Sequence, residues 1–227
     1  MADERDPSTS PGLSRRQLLS GAASFAALAA FGVPFRLDGE ILVIPNSGGF
    51  LLVDLKKCQG CGTCMMSCAL AHTGVASNSL ARIQIVQDPW LDFPNDIYMA
   101  ACRQCANAPC VAVCPTGANH AEPKFGHVRM VDTEKCIGCK LCMARCPYTP
   151  ARLQWNAGTR KSQKCDLCAD TPFLGEKGGP GGTQTCVKVC PMNAIAFTAK
   201  MPDQSSETSY ETNLRGKAWR RLGMTTE

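Results

Sequence analysis

The chain has 227 residues, 44% of them hydrophobic but only 6% aromatic and 19% charged, with 16 cysteines, three histidines and a formal net charge of +5. That length suits one good-sized domain or two small ones, and the apolar content excludes a disordered chain. The charge is too mild to mark a nucleic-acid binder, and so few histidines leave the chemistry to sulfur.

Residues 1–13 are polar and lead into Ser14-Arg15-Arg16-Gln17-Leu18-Leu19. An apolar run follows from Leu18 to Phe31, broken only by Ser20, Gly21 and Ser24 and closing on small residues. A charged start, a short apolar core and a small-residue end form a secretory signal, too short for a comfortable span. The paired arginines make it similar to a bacterial twin-arginine (Tat) signal, with Leu18 where Phe is common. That route carries folded, cofactor-loaded proteins, which predicts a periplasmic protein loaded before export. Segment 1–35 is therefore read as signal, whether or not it is cleaved, and 36–48 as linker. The competing reading is an amphipathic helix with two incidental arginines.

A short strand is predicted at 49–54, entering the first cysteine set: Cys58, Cys61, Cys64 and Cys68, spaced C-x2-C-x2-C-x3-C. A strand at 83–86 precedes the second set, Cys102, Cys105, Cys110 and Cys114, spaced C-x2-C-x4-C-x3-C. A strand at 128–132 enters the third set, Cys136, Cys139, Cys142 and Cys146, which repeats the first spacing. Strand 152–155 leads to the fourth, Cys165, Cys168, Cys186 and Cys190, whose middle gap at 169–185 is Gly/Pro-rich and reads as a flexible loop. A last strand falls at 194–197. Short helices are expected after the cysteine loops, and no long amphipathic helix is visible. In 201–227, Leu214, Ala218 and Leu222 recur at helical spacing among basic residues, which reads as a partner-docking helix or a solvated tail.

The spacing has a chemical reading. Three thiolates two residues apart wrap one [4Fe–4S] cube, and the fourth, a helical turn on, faces a second cube. Gly60, Gly62 and Gly138 let backbone N–H groups approach the sulfurs. Proline follows the last cysteine in three sets (Pro115, Pro147, Pro191), but Ala69 follows Cys68. Disulfides are the bland alternative for an exported chain, yet partners seldom sit two residues apart four times over. Zinc is the better rival, though it does not need the tight triple. Each cube with its thiolates carries about −2, so four offset the positive polypeptide. Lys57, Lys135 and Lys164, each next to a cysteine set, either soften that field or are merely solvated. His72, His120 and His127 read as surface or loop residues, and Trp90 and Trp155 as packing residues.

The sets are related in pairs. Val53-Asp54-Leu55-Lys56-Lys57-Cys58-Gln59-Gly60-Cys61 matches Val131-Asp132-Thr133-Glu134-Lys135-Cys136-Ile137-Gly138-Cys139, and Val111-Ala112-Val113-Cys114-Pro115 matches Val187-Lys188-Val189-Cys190-Pro191. A duplicated unit with two motifs per copy follows. The predicted class is α+β, a duplicated bacterial-ferredoxin-like fold of short strands, short helices and long loops built around four clusters, which replace much of the core.

Segments CRQCANAPCVAVCPTGA at 102–118, KCIGCKLCMARCPY at 135–148 and KCDLCAD at 164–170 carry a family likeness. Residues 49–200 resemble the four-cluster iron–sulfur electron-transfer subunits of the DMSO-reductase, formate dehydrogenase and polysulfide reductase type. The resemblance implies nested pairing of the motifs. One cluster then takes Cys58, Cys61, Cys64 and Cys190, and the next Cys165, Cys168, Cys186 and Cys68. A third takes Cys102, Cys105, Cys110 and Cys146, and the last Cys136, Cys139, Cys142 and Cys114. It also implies four [4Fe–4S] clusters, no catalytic residues, a molybdopterin or tungstopterin catalytic partner and a membrane quinone-reactive or cytochrome partner. The alternatives left open are a free periplasmic polyferredoxin shuttle and a zinc-stabilised interaction module. No P-loop, dinucleotide fingerprint or nucleophilic triad competes with these readings.

Overall fold

The computed structural model describes residues 35–37 and 41–221. The expected twin-arginine segment, all but its last residue, and Leu222 of the C-terminal pattern lie outside them. The last residue of the segment read as signal and the stretch read as linker carry two paired strands, β1 (Phe35–Leu37) and β2 (Ile41–Val43), antiparallel with Phe35 opposite Val43.

Every sheet among the described residues is a two-stranded antiparallel pair. Strand β3 (Phe50–Val53) pairs with β10 (Ile195–Thr198), so residues far apart in sequence close one end of the fold. Strands β6 (Asn119–Glu122) and β7 (Val128–Val131) form the corresponding pair as a local hairpin. The two pairs end alike: Asp54 N donates to Ala194 O and Asp132 N to Ala118 O, both at 2.8 Å. Each aspartate carbonyl then accepts from a cysteine amide, Cys58 N and Cys136 N, both at 3.1 Å. A strand pair thus delivers the chain into the C-x2-C loops that open at Cys58 and Cys136 in a fixed pose. Two more hairpins complete the set, β4 (Gln84–Gln87) with β5 (Ile97–Ala100), and β8 (Gln154–Asn156) with β9 (Lys161–Gln163).

The helices differ from expectation in one respect. Helices α2 (Pro109–Ala112), α3 (Leu141–Ala144) and α4 (Thr185–Val189) are short, each following or containing cysteines, as predicted. Helix α1 (Thr63–Thr73) has 11 residues and ends where Gly74, in the left-handed region, donates to Leu70 O. Its apolar residues go round rather than along one stripe: Met65, Ala69 and Ala71 are buried while Met66 and Leu70 are exposed. No 3.6-residue period marks it in sequence. It packs against α4, with Ser67 Oγ 2.5 Å from Thr185 Oγ1.

The glycine-rich 169–185 loop is not loose. Gly179 N donates to Leu167 O, Thr183 N to Lys177 O, and Gln184 Nε2 to Gly179 O at 2.7 Å. Its glycines let it fold flat onto Cys168: a Cβ at Gly178 would lie 1.8 Å from the Cys168 carbonyl oxygen. The core is small and mixed, with Leu51, Met65, Ile83, Val128, Leu167 and Ile195 packed among Cys64, Cys68, Cys165 and Cys186. Trp90, expected to pack, instead stands 92% exposed in the β4–β5 loop, beside exposed Leu91 and Phe93.

The C-terminal stretch returns across the molecule. Tyr210 Oη donates to Arg103 O, Thr212 N to Val53 O, and Leu214 N to Asp54 Oδ2. Its last element among the described residues is a single turn, α5 (Lys217–Arg220). No helix among the described residues is long and apolar enough to cross a membrane.

Candidate metal centres

All four C-x2-C turns share one backbone device. The residue just before the second cysteine is left-handed in each: Gly60 (φ 65°), Gln104 (φ 50°), Gly138 (φ 72°) and Leu167 (φ 56°). The reversal turns the loop around a common centre. Only two of the four are glycines, so only those were visible in sequence. The residue after the second cysteine is also left-handed in the first and third sets, Gly62 (φ 71°) and Lys140 (φ 61°).

The loops gather the sixteen thiols into four groups. Cys58, Cys61 and Cys64 line a cavity with Cys190, walled by Ile85 and Ile195. Cys136, Cys139 and Cys142 line another with Cys114, walled by Val131 and Ile137. Cys165, Cys168 and Cys186 surround Cys68, near enough that burial and mutual repulsion together push the thiols of Cys165 and Cys186 far up. Cys102, Cys105 and Cys110 stand with Cys146: burial pushes Cys102 up to about 11, and burial raises Cys105 too, opposed by its hydrogen bond with Tyr148 and reinforced by the neighbouring Cys110 and Cys146.

The last cysteine of each set is held by a backbone amide. Arg82 N donates to Cys68 Sγ at 3.4 Å, Asn119 N to Cys114 Sγ at 3.3 Å, Arg152 N to Cys146 Sγ at 3.3 Å and Ala194 N to Cys190 Sγ at 3.2 Å. Such N–H groups favour charge on sulfur and tune a bound cluster. In the cavity of Cys58, Cys61, Cys64 and Cys190 the electrostatics are unfavourable for bare thiolates. Burial, then Cys58, Cys190 and Cys61, push Cys64 up to about 12. Four neighbouring thiols become four thiolates only around a cation, which is what metal binding supplies.

The donor set separates the candidate metals. A tetrahedral zinc keeps its sulfurs about 2.3 Å from one ion. Among the described residues no three His, Cys, Asp or Glu side chains come close enough to hold a single ion. Four all-thiol groups fit the donor set of an iron–sulfur cube, with one sulfur for each iron.

The flanking polar residues sort differently from their appearance in sequence. Lys135 is exposed and pairs with Asp132, 3.0 Å away, so it is a solvated lysine. Lys57 and Lys164 are buried. Lys57 Nζ donates to the carbonyls of Asn193 and Leu214, both at 3.1 Å. His72, expected at the surface, is buried on α1 one turn after Cys68. Its Nδ1 lies 2.8 Å from Cys68 O and 3.8 Å from Cys68 Sγ, and its Nε2 lies 3.0 Å from Asp166 Oδ1. Arg82 completes the trio, 2.5 Å from Asp166 Oδ2. Burial opposes charge on His72, but its hydrogen bonds to Asp166 and Cys68 outweigh that and hold it up to about 9. Burial likewise opposes charge on Asp166, while Arg82 and His72 keep it below the usual carboxylate range.

Sequence reasoning also missed a ladder of rings and guanidiniums. Arg103 lies 4.5 Å from the Tyr210 ring and 4.9 Å from that of Tyr148; Arg152 lies 5.5 Å from Tyr148 and 5.7 Å from Tyr98. It flanks a cavity of about 340 Å³ that Cys102 also lines. The only sequence signal was that Arg103 and Arg152 sit next to or near cysteines.

Comparison with known proteins agrees with the donor chemistry. Residues 95–200 match a family described as a 4Fe-4S dicluster domain. The chain is 32% identical over 200 residues to Protein NrfC of Escherichia coli K12, covering 86% of this chain and 84% of that one. It is 34% identical over 152 residues to the thiosulfate reductase electron transfer subunit PhsB of Salmonella typhi, covering 65% and 73%. It is 32% identical over 186 residues to a sulfite dehydrogenase subunit of Allochromatium vinosum, covering 73% and 74%.

Proposed function

Because the chain belongs to the NrfC-like family of 4Fe-4S dicluster-domain electron-transfer subunits, we propose that it holds four [4Fe–4S] clusters and relays single electrons within a periplasmic oxidoreductase complex. The carrying observation is the gathering of all sixteen cysteines into four groups of four. In each group the turns and N–H donors present four sulfurs to one space. When bound, each cube accepts or gives one electron, and with all four positions filled by thiolate it has no open site for substrate. The subunit therefore carries no catalysis of its own. Its partners are a molybdenum- or tungsten-pterin catalytic subunit on one side and a membrane quinone-reactive or cytochrome subunit on the other. Export by the 1–35 signal places it in the periplasm, and residues 49–200 form a duplicated ferredoxin-like domain. The like-built β3–β10 and β6–β7 pairs support that duplication.

The groups follow one another in a line. The thiols of Cys186 and Cys64 interact between the first two groups, and those of Cys142 and Cys110 between the last two. Between the middle groups, Gln104 Nε2 donates to Cys165 O at 2.9 Å, tying the Cys102–Cys105 turn to the neighbouring set. The two exposed cysteines, Cys61 and Cys139, belong to the outer groups. Protein prepared without oxygen is expected to be brown, with about sixteen irons per chain, and to migrate with partner subunits on size exclusion. A pale, iron-poor preparation refutes the reading. A lone, fully loaded monomer favours the free shuttle instead.

A further inference from the structure

Lys164 immediately precedes Cys165, yet its side chain leaves that cysteine's group. It is 1% exposed. Its Nζ donates to Asn119 Oδ1 at 2.6 Å and lies 3.9 Å from Cys110 Sγ. Asn119, 2% exposed, is itself shared between two groups. Its backbone N donates to Cys114 Sγ at 3.3 Å, and its Nδ2 donates to Cys110 O at 2.9 Å. Cys110 stands with Cys102, Cys105 and Cys146, whereas Cys114 stands with Cys136, Cys139 and Cys142. The ammonium therefore lies on the seam between these two groups. It faces Cys110 Sγ directly, and through Asn119 it is tied to the amide that donates to Cys114 Sγ.

A buried ammonium is costly unless an anion compensates it. Among the described residues, no Asp or Glu forms an ion pair with Lys164. The neutral Asn119 amide fixes its position but supplies no charge. The anions left to it are the thiolates of two groups. Adding an electron to a centre adds negative charge beside the ammonium, so the cation stabilises the reduced form more than the oxidised one.

Building on the four-cluster reading, we propose that Lys164, anchored by Asn119, is a shared positioning charge that raises the reduction potentials of the two centres of sets two and three while leaving the other two unchanged.

The test is a potentiometric titration of the purified, iron-loaded protein, followed by electron paramagnetic resonance. Ligand variants Cys105→Ser and Cys139→Ser identify which signals belong to the two groups. In Lys164→Met, which keeps length but not charge, those two potentials are expected to move to more negative values, with the other two fixed. Lys164→Arg is expected to restore them. Asn119→Asp changes little volume and sets a carboxylate against the ammonium; it is expected to lower the same two potentials, and it keeps the proposal testable if Lys164→Met loads poorly. Unmoved potentials in both loaded variants, or equal movement of all four, overturn the proposal. Wild-type protein without four titrating centres would instead overturn the four-cluster reading on which it rests.

Discussion

At the residue scale, the cysteine turns are governed by space beside the left-handed position. A Cβ at Gly138 would lie 2.4 Å from the Arg160 carbonyl oxygen, which is backbone and cannot yield. A Cβ at Gly60 would lie 2.5 Å from Gln87 Nε2, the end of a flexible side chain. Both alanines incur about 1 kcal/mol for the left-handed conformation. Gly138→Ala adds backbone displacement and is expected to reach about 2 to 3 kcal/mol, with impaired loading. Gly60→Ala is expected to stay near 1 kcal/mol. Iron content and thermal midpoints of the two variants check the order; equal effects would show that the close approach does not matter. The sequence exposed this rule only where glycine fills the position. Gln104 and Leu167 adopt the same conformation because buried contacts enforce it: both are almost fully enclosed, and Gln104 Oε1 accepts from Arg129 N at 2.6 Å. Nothing in residue type announces that. Lys135 and Lys164 also look equivalent in sequence, each one position before a cysteine, and only the fold puts one in water and the other in the core.

At the scale of elements, alternation and apolar content located β3, β7 and β10 to within about a residue or two. They did not find β6 or β9, because Asn119-His120-Ala121-Glu122 and Lys161-Ser162-Gln163 offer almost no apolar residue to alternate. Partner strands and the cysteine loops hold them instead. The tail was ambiguous for a related reason. Its helical spacing at Leu214, Ala218 and Leu222 suggested docking on a partner, whereas residues 203–215 form a strap on this same chain. Tyr210 anchors the strap: it is 5% exposed, donates to Arg103 O at 2.7 Å and accepts from Gln204 Nε2 at 2.5 Å. At the other end Asp54, 2% exposed, takes Leu214 N and Arg215 Nε. Tyr210→Phe removes a buried hydroxyl and is expected to cost about 1 to 2 kcal/mol. Asp54→Asn weakens a buried ion pair and is expected to cost about 3 kcal/mol. Both losses should appear in thermal melts of the isolated loaded subunit. If melts are unchanged and only assembly with partners suffers, the tail is a docking element after all.

At the scale of the whole molecule, the spacing gave four sets of four but not which thiols meet, since those meetings depend on β3 finding β10 across more than half the chain. The resulting order has a consequence for damage. Cys61 and Cys139 are exposed, while all four thiols around Cys168 are shielded, with Cys165, Cys168, Cys186 and Cys68 buried. An oxidant in solution reaches the outer groups first. The inner group cannot open without disturbing the packing it shares with Leu51, Met65, Ile83 and Leu167. Loaded protein titrated with ferricyanide is therefore expected to lose iron in stages. Alkylation mapped by mass spectrometry should mark Cys61 and Cys139 early. Cys165 and Cys186 should react last, together with the collapse of far-ultraviolet dichroism, because a core built from cysteines has too little aliphatic surface to stand once they are released. Simultaneous alkylation of all sixteen would mean that the groups share one cooperative unit and that the line of centres has no protected middle. Early labelling of Cys165 would place the weak point in the 169–185 loop that covers Cys168, and Gly178, folded against its carbonyl, would then be the first contact to fail.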